Sequence, residues 1–170
     1  MVDHPKHRDE APQLHVTWNR ALDPGTSVAI VDIDGVLSDA AGRQHFLEGA
    51  TRRWRAFFEA CGEDPVIEET RRLLSALHAE VGIALVTARP AWVHSQTVEW
   101  LERFDVRWDG LVMRGVKDQR SSAVYKSAAL DVLLEFPLEP VFAVEDDLRN
   151  VAMFRDRGVP TLYRHSGYYE

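Results

Sequence analysis

The chain has 170 residues, a net charge of −7, 45% hydrophobic and 28% charged residues, and a single cysteine. That length fits one domain with its own core, and the composition is that of an ordinary globular protein. The acidic balance excludes a bulk basic surface for long duplexes but leaves room for a local phosphate pocket, and Cys61 alone excludes an internal disulfide or a cysteine metal cage.

One cysteine suits a reducing, intracellular setting. No apolar run approaches the length of a bilayer span, and the opening "MVDHPKHRDEAPQLH" has no apolar h-region. A cytoplasmic protein without a membrane partner is expected. Nothing in the pattern specifies an oligomeric state.

Residues 1 to about 25, rich in His, Asp, Pro and Lys, show no sustained period and read as a flexible arm ending in the turn signal "DPGTS". The remainder, 26–170, reads as one domain. "SVAIVDI" is a strand. "RRWRAFFEA" and "VIEETRRLLSALHAE" follow as helices, the second with Ile67, Leu73, Leu74 and Leu77 near helical spacing. "GIALVTA" is a second buried strand, and "PAWVHSQTVEWLERF" a helix with Pro90 in its first turn. "DGLVMR" is a short strand, "SSAVYKSAALDVLLEF" a serine-capped helix, and "PVFAVED" a further strand. "DLRNVAMFRDRG" is a helix closed by Gly158, and "VPTLYR" the last strand.

This alternation predicts an α/β fold with a mainly parallel sheet. In such sheets ligands bind beyond the carboxyl ends of the strands, where the strand order reverses. Three of the expected strands end in reactive side chains: Asp32 and Asp34; Thr87 and Arg89; Glu145, Asp146 and Asp147. Asp32 and Asp34, two apart on an extended strand, project to one side. Together they either cap the turn at Gly35 or share a hard cation such as Mg²⁺, which Asp146 and its neighbours would help to hold. Thr87 offers a hydroxyl beside free backbone N–H groups, Arg89 a planar fork for a phosphate, and Lys126 a point cation on an otherwise apolar helix.

"DIDGV", "LVTARP", "VYK" and "VEDD" resemble the four motifs of the haloacid dehalogenase-like (HAD) phosphohydrolases, over about residue 27 to the C-terminus. Within that superfamily "TARP", "LVMR" with "AVYK", and "AVEDDLRNVAMFRDRGVP" are most similar to the 3′-phosphatase half of phage and bacterial polynucleotide kinase/phosphatase. The resemblance implies a three-layer Rossmann-like fold and a Mg²⁺-dependent phosphatase. It makes Asp32 the nucleophile that forms an aspartyl-phosphate and Asp34 the general acid and then base. Thr87 and Lys126 would hold the phosphoryl oxygens. Mg²⁺ would bind through Asp32, the Asp34 backbone carbonyl and Asp146, supported by Glu145 or Asp147.

Residues 36–81 exceed a simple crossover, and about 38–64 of them are expected to form a small cap over the site. In and around it Gly35, Arg43 and His45 join Arg89 and Arg114 as candidate substrate contacts, whereas Trp54, Phe57 and Phe58 are expected to pack their helix on the core. Trp92, Trp100 and Trp108 are expected in the core or at its rim. Ala88 stands where the subgroup has glycine, and Glu145-Asp146-Asp147 replaces its D-D-R, with Arg149 nearby. No G-x-x-x-x-G-K-[ST] occurs, so 5′ phosphorylation by a P-loop is not expected. The expected ligand is a phosphorylated small molecule or a nucleic-acid end. A 3′-phosphate end is favoured, a small metabolite or mononucleotide is the alternative, and the joint presence of Asp32, Asp34, Thr87, Lys126 and Asp146 argues against a non-catalytic binding module.

Overall fold

Alternate residues of "SVAIV" serve opposite faces of one sheet, and both faces are covered. Val28 and Ile30 pack on one side, Ala29 and Val31 on the other, and all four are buried. A strand apolar on both faces belongs in the middle of a parallel sheet. The computed structural model, which describes residues 14–169, places it there.

The sheet is built from β1 (His15–Trp18), β2 (Ser27–Val31), β3 (Gly82–Pro90), β4 (Gly110–Arg114), β5 (Glu139–Glu145) and β6 (Thr161–Tyr163), in the order β1-β4-β3-β2-β5-β6. All pairings are parallel except β1 with β4. The helices are α1 (Trp54–Glu59), α2 (Glu68–Ala76), α3 (His94–Arg103), α4 (Ser122–Glu135) and α5 (Leu148–Asp156). The expected α/β architecture is therefore present, with each expected strand and helix formed, except that Pro90, expected in the first turn of α3, ends β3 opposite Arg114, and a 3-10 turn (Ala91–Val93) precedes the helix. No helix among the described residues is long and apolar enough to cross a membrane.

One face of the sheet packs Trp100, Leu101, Leu74 and Cys61 against Val31, Leu85 and Leu111; the other packs Tyr125, Leu130, Leu133 and Phe154 against Ile30, Val86 and Val112. Each fully buried Val, Leu or Ile contributes roughly 1.5–3 kcal/mol of transfer free energy. From β2 the chain moves outward to β3 and β4, then returns to start β5 on the other side of β2. The reversal between β2 and β5 sets the ends of these two strands side by side, and the Asp32 N–H donates to the Val144 carbonyl at 3.1 Å.

The expected loose arm is corrected in its described part. His15–Trp18 pairs antiparallel with Met113–Gly110 and closes the β4 edge of the sheet. Four residues are too short to carry a period, so only tertiary pairing defines this strand. The arm's first 13 residues lie outside the described residues. Trp18 lies over Gly110, where a Cβ would overlap the indole, and meets Phe136 edge-on at 5.2 Å. The segment between β2 and α2, expected as a cap, contains two 3-10 turns (Ala40–Phe46 and Ala60–Glu63) around α1.

Gly110→Ala is expected to displace Trp18 and destabilise the protein by about 1–3 kcal/mol, the usual cost of overpacking. A urea midpoint indistinguishable from wild type would show that the edge strand contributes nothing.

Candidate active site

Beyond the carboxyl ends of β2 and β3 lies a cleft of about 1410 Å³ with Asp32, Asp34, Thr87 and Ala88 at its floor. A tight turn after β2 presents the two aspartates: the Ile33 carbonyl accepts from the N–H groups of Leu37 and Ser38, both at 2.8 Å, and Gly35 sits at φ +84°. Glycine enters that region without penalty. It also leaves space, because a Cβ at position 35 would collide with the Asp146 carboxylate.

Beneath Asp32 is a buried ionic group. Lys126 reaches from α4 and places its Nζ 2.8 Å from Asp32 Oδ2 and 2.6 Å from Glu145 Oε2. The second Glu145 oxygen accepts the N–H groups of Asp146 and Asp147, both at 3.0 Å. Asp146 is buried too, yet neither of its oxygens accepts a hydrogen bond of ordinary geometry among the described residues. The Ser166 side chain lies beside it and opposes the effect of burial on its pKa.

Carboxylate oxygens from Asp32, Glu145 and Asp146 all lie within 4.8 Å of one another. Three carboxylates against one ammonium leave two negative charges unbalanced. Burial lifts Asp32 well above the ordinary carboxylate range; Lys126 opposes this and the other two carboxylates add to it. Burial likewise pushes Asp146 up to about 7, with Glu145 adding to the rise. Glu145 goes the other way: burial raises it, but Lys126 and the N–H donors hold it below its usual value. Unpartnered oxygens and uncompensated negative charge fit a hard divalent cation, which takes oxygen ligands. Asp146 has both oxygens available and each Asp32 oxygen has one partner, the Ile33 N–H at 2.8 Å or Lys126, whereas one Glu145 oxygen already accepts two N–H groups, so Asp146 and Asp32 are the residues best able to hold one.

Asp34 belongs to a different group. Arg89 donates to its Oδ1 through Nε at 2.9 Å and Nη2 at 2.6 Å, and Arg43 Nη2 donates to the same oxygen. Behind them Asp64 accepts from Arg43 Nε at 2.9 Å and from the Ser38 hydroxyl, and its own carbonyl accepts the Trp100 indole N–H at 2.7 Å. Two arginines and two aspartates make a neutral quartet. Burial pushes the Asp34 carboxyl up, but Arg89 and then Arg43 outweigh it and hold the group below its usual value.

The expected site residues divide accordingly. Asp32, Asp34, Thr87 and Arg114 line the cleft; Lys126, Glu145 and Asp146 lie under it. The Thr87 hydroxyl accepts the Arg89 N–H at 3.2 Å. The expectation of Arg89 and Arg43 as substrate contacts is corrected. Both are fully buried, and their forks are spent on Asp34 and Asp64 because a buried guanidinium must be paired. His45 is also corrected. In a 3-10 turn Ala40 and Arg43 share the buried face, so His45 faces solvent, bonded to the Gly42 carbonyl at 3.0 Å. Arg114 donates to the Arg120 carbonyl at 2.6 Å and the Ala88 carbonyl at 3.3 Å, which leaves its outer edge on the cleft. Gly35 acts through space rather than contact. The Asp34 carboxylate faces the arginines, not the acidic group. Glu145, expected in support, stands within that group. Asp147 caps α5 through the Arg149 N–H and pairs with its guanidinium at 2.7 Å.

Asp64 escaped the sequence reading because no spacing ties it to the loop after β2. So did the tail: Arg164 donates to the Gly35 carbonyl at 2.6 Å, the Tyr168 hydroxyl to Asp39 at 2.8 Å, and Gly167, Tyr168 and Tyr169 line the cleft. The only signal for the tail is its run of polar and aromatic residues. Of the aromatics expected in the core, Phe57 is buried under Arg43, whose guanidinium sits 4.1 Å from its ring centroid, whereas Trp54 is exposed.

An aspartate pair and a buried lysine gathered where a parallel sheet reverses its order define a phosphatase of the HAD class. Residues 26–169 match the family model described as the polynucleotide kinase PNKP phosphatase domain, and the chain belongs to that family. Among solved structures, a chain of the Pnkp1/Rnl/Hen1 RNA repair complex is similar at 21% identity with a TM-score of 0.68, over 86% of this chain and 45% of that one. The class C acid phosphatase from Bacillus anthracis with tungstate bound matches at 14% identity and a TM-score of 0.63, over 85% of this chain and 68% of that one. A HAD-superfamily hydrolase of subfamily IA from Geobacter sulfurreducens matches at 16% identity and a TM-score of 0.52, over 85% and 89% of the two chains. At such identities the likeness is one of fold, and this chain spans just under half the length of the RNA-repair chain. No curated protein matches the sequence.

The raised Asp32 pKa has a sign. A carboxyl whose folded pKa exceeds its unfolded value takes stability away as pH rises through that interval. Asp32→Asn is therefore expected to raise the thermal midpoint of the metal-free protein near neutral pH, by about 2–4 °C for each kcal/mol relieved. The gap between variant and wild type should close as pH falls toward the ordinary carboxyl value of 3.8. A midpoint below wild type would show that Asp32 is held there by net attraction.

Proposed function

We propose that the chain is a Mg²⁺-dependent phosphomonoesterase that works through an aspartyl-phosphate on Asp32 and acts on nucleic-acid 3′-phosphate ends. The observation that carries this reading is the placing of Asp32: at the floor of an open cleft, paired with a buried lysine, beside a carboxylate with unused oxygens. The family supports the 3′-phosphate, and a fold neighbour from an RNA repair complex supports a nucleic-acid substrate.

In the proposed sequence an Asp32 oxygen attacks phosphorus and the P–O bond to the leaving alkoxide breaks. The alkoxide takes its proton from Asp34. A water then attacks phosphorus, loses its proton to Asp34, and frees Asp32 and inorganic phosphate. Lys126 fixes the nucleophile and offsets charge at the floor, while the Thr87 hydroxyl and the backbone after it face the phosphoryl oxygens. Asp32 and Asp146, with the Asp34 backbone carbonyl, would hold Mg²⁺, which supplies Lewis-acid stabilisation of the transferring group.

Arg89 and Arg43 act through Asp34. They keep it ionised in the free protein, the form that water activation needs. An incoming phosphate dianion beside Asp34 repels that charge and raises its proton affinity, so the acid form arrives with the substrate.

Phosphate release should require Mg²⁺, stop with EDTA and vanish in Asp32→Asn. A 3′-phosphorylated oligonucleotide should be hydrolysed faster than sugar phosphates or mononucleotides; equal or better turnover of the small esters would overturn the polynucleotide reading. Asp34→Asn should still cleave p-nitrophenyl phosphate once, because that leaving group needs no acid, and then stall. A burst of about one equivalent of p-nitrophenol is the expected trace; steady turnover at the wild-type rate would remove Asp34 from the second step.

A further inference from the structure

Two indoles stand in water at the mouth of the cleft. Trp54, at the start of α1, is 47% exposed and Trp92, just after β3, is 39% exposed, whereas Trp100 and Trp108 are in the core. Both exposed rings line the cleft. They are also held in place. Trp54 lies nearly parallel to Phe58, with centroids 6.0 Å apart at 22°, and Phe58 meets Trp92 edge-on at 6.3 Å. The Arg55 guanidinium sits 5.3 Å from the Trp92 ring and that of Arg52 6.0 Å from the Trp54 ring. An exposed indole with an arginine over its ring offers an aromatic surface and a cation together, which suits a base on a phosphate chain.

Size agrees with this, and so does the local placing of charge. The lining of the cleft is balanced, with five arginines against Asp32, Asp34, Glu48, Asp118 and Asp147, and Arg120 and Arg149 are paired with Asp118 and Asp147. The cations beside the two indoles are Arg52 and Arg55, the latter shared with Glu59 at the surface. The 1410 Å³ of the cleft exceeds the ~300–1,000 Å³ of pockets that enclose one small ligand. A mononucleotide would leave much of it unfilled.

We propose that Trp54 and Trp92 form a stacking platform for unpaired bases on the 5′ side of the phosphate, so that the cleft selects single-stranded ends several nucleotides long. The inference rests on the 3′-phosphatase reading and adds to it the strandedness and length of the substrate. Every pair but the terminal one has both faces covered by its neighbours in the stack, so a duplex end would have to fray to bring more than its last base to the platform. DNA and RNA share the bases and phosphates that this wall would meet.

The test compares KM for wild type, Trp54→Ala and Trp92→Ala on a 3′-phosphorylated single-stranded tetranucleotide, as DNA and as RNA. The same end in a blunt duplex, a nucleoside 3′-monophosphate and p-nitrophenyl phosphate serve as references. Wild type should show a KM for the tetranucleotide about tenfold or more below that for the monophosphate. Each alanine variant should raise the tetranucleotide KM on the order of 10- to 100-fold relative to its own KM for the aryl ester, with Trp54→Phe and Trp92→Phe recovering most of the loss. The better of the DNA and RNA arms identifies the sugar. As a readout independent of turnover, tryptophan fluorescence of Asp32→Asn should be quenched by the tetranucleotide far more than by the monophosphate. If both alanine variants keep the wild-type ratio of KM values while wild type still prefers the tetranucleotide, the platform is refuted and the 3′-phosphatase reading stands. If wild type turns over the blunt duplex as well as the single strand, strand selection is refuted. If wild type shows no preference for any oligonucleotide over the small esters, the 3′-phosphatase reading falls and the platform with it.

Discussion

Lys126 stands between Asp32 and Glu145, fully buried, and ties three elements together: α4, the end of β2 and the end of β5. Without an internal cation the strand ends could not meet in this way, because each uncompensated buried charge costs several kcal/mol. A single ammonium balances only one of the three neighbouring carboxylates. The remaining charge leaves the group open to a cation, and Asp146, whose oxygens accept no hydrogen bond of ordinary geometry among the described residues, carries that deficit. Lys126 holds the fold together here as well as facing the proposed ligand. Read as a clamp for phosphate, it is equally a structural member, and removing it would leave two buried carboxylates facing each other.

Asp32 and Asp34 are two residues apart, yet their environments push them in opposite directions. The first lies in the underneutralised group and is shifted up; the second lies in a neutral quartet and is shifted down. A nucleophile that resists ionisation and an acid that resists protonation are the reverse of what the two proposed roles require. On the proposed mechanism the ligands resolve this, since positive charge brought to Asp32 and negative charge brought to Asp34 move both groups toward their working forms. The free protein is thus held in a state from which neither half-reaction runs without its ligand. Divergent environments for neighbouring carboxyls are a general way of assigning acid, base and nucleophile to similar side chains.

Much of this was legible in the sequence, and what was legible had a local cause. Strands buried on both faces announce themselves as short apolar runs, and reactive residues at their ends announce the functional edge; Asp32, Asp34, Thr87 and Asp146 are legible that way, and Lys126 as a cation on an otherwise apolar helix. The partners of charged side chains were not legible. "TARP" displays an arginine two residues after a threonine, but nothing in that string says whether the guanidinium turns out to a substrate or back to Asp34 and Asp64. Arg43 and His45 look equivalent in "GRQHF", and only the three-residue repeat of the turn buries one and exposes the other. Trp54 and Phe57 likewise share one helix of six residues, too short for an apolar stripe to show which is inside. The strand His15–Trp18 was missed because its identity is conferred by β4.

The turn at Gly35 is governed by volume. A position with no side chain lets the loop after β2 and the carboxylate at the end of β5 occupy nearly the same place, and a tail arginine bonds the carbonyl of that same glycine. The loop, the acidic group and the tail therefore meet around a single hydrogen atom. For protein engineering this divides the cleft into two kinds of ground. The exposed stretch over residues 49–53 can be lengthened, trimmed or recoded to admit new substrates, whereas Arg43, Phe57 and Cys61 on either side of it are buried in the quartet and the core. Position 35 is closed to every amino acid larger than the one it has, and a redesign that keeps the chemistry has to begin by leaving that blank in place.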